Sequence, residues 1–198
     1  MDTPDILTAA GPVAEAFENL GIHYYIGGSV ASSVYGIARS TMDVDMVSNL
    51  KPKHVRSLVT MLESSYYIDE DMILAAIRSG SSFNLIHLET MLKIDVFIVK
   101  NEPYDIEAFK RRRRDTLNEE NETVEFYLAS PEDIILNKLG WYRLGSGVSE
   151  RQWNDVLGVL KVQRESLDKS YLRFWAMELK LKDLLEKAFQ DSGISSLS

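Results

Sequence analysis

The chain has 198 residues, with 30 acidic and 22 basic side chains for a net charge of −8, and it contains no cysteine. That length suits one domain, or one domain with a small appendage, and is enough to bury a core. Without cysteine, disulfides, thiolate zinc sites, Fe–S clusters and thiol nucleophiles are all excluded, and three histidines leave oxygen donors as the natural ligands of any metal. No apolar stretch approaches the roughly 20 residues of a membrane helix. The acidic start Met1-Asp2-Thr3-Pro4-Asp5 also lacks the basic region of a secretory signal, so a cytoplasmic protein with no membrane partner is expected. Residues 1–50 carry six acids against one base, Arg39, which argues against an extended nucleic-acid face there.

Residues 4–20 predict a helix, with Thr3 as N-cap, Gly11-Pro12 as an interruption and Leu20-Gly21 as the stop. His23 to Ile26 is a short aromatic and β-branched run ending in Gly27-Gly28, a strand leading into a tight turn. Ser29 to Gly36 is small and helical, and Asp43 to Val47 alternates acid and apolar as a strand does. Two amphipathic helices are expected over 52–63 and 70–79, and two strands over 82–88 and 91–99 make a hairpin. Residues 106–113 predict a helix and 123–128 a strand. From Ser130 onward the pattern is helical, opened by Ser130-Pro131-Glu132-Asp133, then by a capping box at Ser149-Glu150-Arg151-Gln152, and continued over 168–179 and 182–189. The polar tail after Asp191 is expected to fray. A mixed α/β module over 1–128 followed by a helical module over 129–198 is the resulting outline.

The chemistry concentrates in Gly27-Gly28-Ser29, the thirteen residues Val30 to Met42, and Asp43-Val44-Asp45. Residues two apart on a strand share a face, so Asp43 and Asp45 project together while Val44 and Met46 point into the core. Asp95 is a single acid in the apolar run Ile94-Asp95-Val96-Phe97-Ile98, where burial demands a partner. A solvated edge would also explain the first pair, but Asp95 among apolar neighbours weighs against that. If its strand lies beside the one bearing Asp43 and Asp45, three carboxylates converge, a set suited to two-metal phosphoryl chemistry. Gly27-Gly28 permits close backbone approach, Ser29 adds a hydroxyl, and the following helix N-terminus offers unpaired N–H groups to an anion.

Ile26-Gly27-Gly28-Ser29 through Arg39-x-Thr41-x-Asp43-x-Asp45, with the later strand acid Asp95, resembles the nucleotidyltransferase superfamily of the polymerase-beta type, and most of all bacterial AbiEii-type nucleotidyltransferases. Ser130 to Leu139 and Trp153-Asn154-Asp155-Val156 are similar to the helical region that follows the catalytic module in those relatives. The resemblance implies an α/β (α+β) nucleotidyltransferase fold, a mixed sheet flanked by helices with a C-terminal helical module. It further implies two Mg ions, or Mn in their place, on Asp43, Asp45 and Asp95, and a triphosphate on Gly28 and Ser29, with Lys138 as a phosphate or nucleotide contact. The activity implied is transfer of a nucleoside monophosphate from an NTP such as ATP, with pyrophosphate leaving, to a hydroxyl on a protein or RNA, in a toxin–antitoxin or phage-defence setting. Asp95 would assist deprotonation of the acceptor. The rival readings are a small-molecule, aminoglycoside-type transferase and a non-catalytic antitoxin or scaffold. The tRNA CCA-adding relatives carry Arg-Asp shortly after the glycine pair, where this chain has Ala31-Ser32, which disfavours a tRNA-repair role.

Three other features have competing readings, and a fourth, Thr41, has one. Arg39 reads either as a triphosphate contact or as a salt-bridge partner of the Asp pair. Thr41 is expected to order the loop beside the nucleotide. Asp155 reads as the ion-pair partner of a helix neighbour or of Lys138. The basic run Lys110 to Arg114 invites an RNA reading, but from Glu107 to Glu125 five bases face six acids, so local ion pairing is the default.

Overall fold

The computed structural model describes residues 4–119 and 122–194, in which nine helices and seven strands are formed. The expected cap Thr3 and the tail residues 195–198 lie outside the described residues. In chain order the elements are α1 (Pro4–Asn19), β1 (Tyr24–Ile26), α2 (Gly28–Tyr35), β2 (Asp43–Ser48), α3 (Pro52–Leu62), β3 (Tyr66–Tyr67), α4 (Glu70–Ser79), β4 (Ser82–His87), β5 (Lys93–Ile98), α5 (Pro103–Lys110), β6 (Arg113–Glu119), β7 (Glu122–Leu128), α6 (Pro131–Leu144), α7 (Glu150–Gln163), α8 (Lys169–Glu178) and α9 (Lys182–Asp191).

The chain divides into two compact units. One comprises Met1–Gly27 and Ser40–Leu128; the other comprises Gly28–Arg39 and Ala129–Ser198.

The first unit holds one mixed sheet in the order β3-β4-β5-β2-β1-β7-β6. Its pairings are antiparallel except for β2 with β5 and β1 with β7, which are parallel. Alternation does what the sequence pattern promises: Val44, Met46, Ile94 and Val96 are buried on one face, while Asp43, Asp45, Lys93 and Asp95 are half-buried on the other. Apolar side chains of α1, α3 and α4 complete the core, with Val13, Phe17, Leu58 and Ile73 fully enclosed. α1 runs unbroken through Pro12, against the expected interruption. An interior proline costs a helix about 3 kcal/mol, and here Ala9, Ala10, Val13, Ala14, Ala16 and Phe17, buried on both sides of it, outweigh that cost.

Two strands escape the sequence outline, β3 and β6. β6 pairs with β7 and takes up the end of the basic run, so that part of the run is strand rather than helix. Arg114 pairs with Glu125 at 2.9 Å, Lys110 approaches Glu107 at 3.7 Å, and Arg112 lies over the Phe109 and Tyr127 rings while donating to the Phe109 carbonyl.

In the second unit α6 packs on α7, α7 on α9, and α8 on both α6 and α9, while α2 lies against α6 and α7. Gly36, just past α2, is required by close approach, since a Cβ there would meet the Ser32 carbonyl oxygen and the Val159 nitrogen at 2.8 Å. Ser130 caps α6 by accepting from the Asp133 N–H, and its hydroxyl donates to the Asp133 carboxylate. Ser149 caps α7 by accepting from the Gln152 N–H, but the reciprocal half of the expected capping box is turned elsewhere: the Gln152 side-chain oxygen accepts from Lys138 at 3.4 Å.

Candidate functional site

The carboxylate face is built by β2 and β5. Their parallel register sets Asp45 directly opposite Asp95 and Asp43 opposite Lys93. Like charges in directly opposed positions repel by up to about 1 kcal/mol, so this face stands out as one that the fold does not itself require. Thr41 orients the first acid, donating from its hydroxyl to Asp43 Oδ1 at 2.7 Å. Lys93, two residues before Asp95 and therefore on the same face, reaches Asp95 Oδ2 with its ammonium at 2.7 Å. The hydrogen bond to Asp95 raises the Lys93 pKa above its usual 10.5, burial opposes the rise more weakly, and the charges of Asp95, Asp43 and Asp45 add to it.

These residues suit a magnesium-type ion in kind, being oxygen donors brought to neighbouring positions of one sheet face. They are not drawn together around a common point. Among the described residues no group of three or more His, Cys, Asp or Glu side chains is gathered closely enough to hold a metal ion. The expected convergence is thus met in strand placement and register, while the Asp95 carboxylate is turned to Lys93.

The glycine turn is formed by the exit from β1. Gly27 donates its N–H to the Asp45 carbonyl at 2.8 Å, which extends the β1–β2 pairing by one residue and takes that N–H out of the set offered to an anion. Gly28 has φ of +53°, in the left-handed region that glycine alone enters without penalty, which is the reason for glycine at this position.

In the second unit Ser29, Arg39, Lys138 and Asp155 form one network. Arg39 is held bidentately by Asp155, Nε to Oδ1 and Nη2 to Oδ2 both at 2.9 Å, and Nη2 also donates to the Ser29 hydroxyl at 2.5 Å. Lys138 reaches Asp155 Oδ2 at 2.7 Å. The Lys138 and Asp155 side chains are 5% and 6% exposed, so this is a desolvated cluster rather than a surface pair. Burial pushes the Asp155 carboxyl up, but the hydrogen bonds from Arg39 and Lys138, reinforced by their charges, hold it below its usual 3.8. Ser33 fixes the backbone at the end of this loop, its hydroxyl within 3.4 Å of the Arg39 N–H, and Gln163 on α7 donates to the Tyr35 carbonyl at 3.1 Å.

Of the two readings of Asp155, the Lys138 partnership is the one formed, and Arg39 completes it. Sequence reasoning misses the contact of Asp155 with Arg39 and the place of Lys93 on the carboxylate face. Asp155 joins two of the expected nucleotide contacts, and no local pattern announces its contact with Arg39, 116 residues away. Lys93 had a visible signal, a base two positions before a strand acid.

No family model and no curated protein matches the chain. Solved structures do. A nucleotidyltransferase-like protein from Paracoccidioides brasiliensis superposes with a TM-score of 0.57 at 16% identity, covering 96% of this chain and 94% of that one. The chain has a nucleotidyltransferase fold. The antibiotic-resistance factor ANT(2'')-Ia shares this fold at a TM-score of 0.51 and 15% identity over 96% of both chains. A candidate nucleotidyltransferase of Thermotoga maritima aligns at 0.50 and 12%, over 77% of this chain and 94% of its own. Within this nucleotidyltransferase fold, no helix among the described residues is long and apolar enough to cross a membrane.

Proposed function

We propose that this chain is a nucleotidyltransferase that moves a nucleoside monophosphate from an NTP to a hydroxyl of a protein or RNA, in the manner of the AbiEii-type enzymes its sequence resembles. The observation that carries this reading is the opposition of Asp45 and Asp95 across two parallel strands, with Asp43 on the same face oriented by Thr41, in a sheet of this fold. A fold rarely retains such a concentration of like charge unless a cation is meant to join it.

In this reading Asp43, Asp45 and Asp95 hold divalent ions, magnesium or manganese. Bound there, such an ion would supply Lewis-acid stabilisation of the phosphoryl oxygens. The chain's own residues do the rest. Thr41 keeps Asp43 in one orientation. Gly28 and Ser29, at the start of α2, face the triphosphate with backbone N–H groups and a hydroxyl, and Gly27 shapes the turn while its own N–H stays in the sheet. Arg39 and Lys138, kept charged and oriented by Asp155, are the cations that neutralise phosphate. Residues 1–128 serve in this reading as the module carrying the carboxylates and 129–198 as the helical module, with Gly28–Arg39 of the first stretch belonging to the second compact unit.

A second reading, transfer to a small-molecule hydroxyl, is supported by the full-length likeness to an antibiotic-resistance factor. Incubation with each α-labelled NTP, magnesium and a cell lysate separates the two. Label in a protein or RNA band, absent with Asp43→Ala, is the expected result. Label confined to a small molecule would transfer the assignment to the second reading, and no labelled product with any NTP would count against both.

A further inference from the structure

Lys93 is the single base in the sequences of β2 and β5, and it stands inside the group of carboxylates rather than beside it. Register places it opposite Asp43, and alternation places it on the face shared by Asp43, Asp45 and Asp95. Its ammonium is bonded to Asp95 at 2.7 Å, so the acid expected to complete a ligand set is already engaged by an internal cation. The described carboxylates are not gathered for a metal, and the one at Asp95 is turned to Lys93.

The pair is also built to be broken. The Lys93 side chain is 45% exposed and Asp95 20%, so the ammonium can leave for solvent without being stranded in an apolar interior. Lysine is a compact charge on a flexible four-carbon stem, and a half-exposed ion pair of this kind is worth about 1 kcal/mol or less. A divalent ion brings twice the charge to the same oxygens.

Resting on the proposed reading of the carboxylate face, we propose that Lys93 is a tethered counter-cation which occupies Asp95 in the metal-free protein and is displaced when a divalent ion binds. Lys93 thereby stabilises the empty site and lowers its affinity for metal. The ammonium competes for the same oxygens, so its removal leaves the carboxylates with a larger net negative charge and a free Asp95.

The test is manganese titration of the full chain without nucleotide, reading free Mn2+ by electron paramagnetic resonance, together with thermal melts with and without the metal. Lys93→Met is expected to bind Mn2+ about tenfold more tightly than the wild type, the order of effect of one unit charge near a partly solvated site. Its metal-free melting temperature should lie below that of the wild type, with the gap closing at saturating metal. Lys93→Gln, which keeps a polar stem, should show the same tightening if the Met variant folds poorly, and Lys93→Arg should retain the wild-type affinity. Equal or weaker Mn2+ binding by Lys93→Met and Lys93→Gln alongside measurable wild-type binding would overturn the role of Lys93 and leave the metal reading intact. Absence of Mn2+ binding in the wild type and in both neutral variants would overturn both.

Discussion

Asp155 on α7 is enclosed with Arg39 and Lys138, two cations for one carboxylate, and its side chain is almost fully buried. On the β2–β5 face the ratio is reversed. Three carboxylates, Asp43, Asp45 and Asp95, share their face with Lys93, and they are half-buried rather than sealed. Buried charge that is matched and hydrogen-bonded can serve architecture, because it fixes which elements meet. A half-exposed face richer in acid than in base, as β2 and β5 make it, is explained in the proposed reading by what it receives from outside. The two regions therefore make opposite predictions when their acids are removed.

The largest effect is expected at Asp155. Asp155→Ala leaves Arg39 and Lys138 without their shared acceptor, and breaking a buried pair by removing one partner costs about 3 kcal/mol or more. Urea unfolding at neutral pH should show that loss as a lower midpoint. A change below about 1 kcal/mol would mean that the cluster is not architectural.

Acid titration of stability sharpens the same point. The folded-state pKa of Asp155 lies below its usual 3.8, so its contribution is fully present above that value and is lost as pH falls through the depressed one. Stability of the wild type should therefore fall more steeply below about pH 4 than that of Asp155→Asn. Parallel urea midpoints at pH 7 and pH 3 are the measurement, and equal slopes would contradict it.

Asp43→Asn should behave in the opposite way. The amide oxygen still accepts from Thr41 while the charge is gone, so stability should change by no more than about 0.5 kcal/mol in either direction, whereas label transfer should fall by at least about a hundredfold. The smallest effect belongs to Arg114→Ala, which removes an ion pair whose side chains are 54% and 55% exposed. A surface pair of this kind contributes about 0.5 kcal/mol or less, and a melting curve overlaying that of the wild type is expected.

Much of this contrast is legible in the amino-acid order. The acid–apolar alternation of Asp43-Val44-Asp45-Met46 and of Lys93-Ile94-Asp95-Val96 announces strands with one wet and one dry face, and the caps Ser130 and Ser149 announce where α6 and α7 begin. β3 escapes because two residues carry no period. β6 escapes because Arg113-Arg114-Asp115-Thr116 is polar throughout and is held as strand by its antiparallel pairing with β7. The continuity of α1 through Pro12 depends on burial that a local breaker rule does not weigh. The candidate site divides along the same line. Alternation identifies which side chains share a face, but the neighbour relation of β2 and β5 and the joining of Arg39 to Asp155 are long-range pairings that no local spacing encodes.

In the proposed reading the carboxylate face receives metal and, with it, a nucleoside triphosphate. Calorimetric titration of the full chain with each NTP, in the presence and absence of magnesium, measures both steps at once. Saturable binding of at least one NTP that requires magnesium in the wild type and is abolished in Asp43→Asn is the predicted result. Absence of magnesium-dependent binding by every NTP, or binding that Asp43→Asn leaves unchanged, would contradict it.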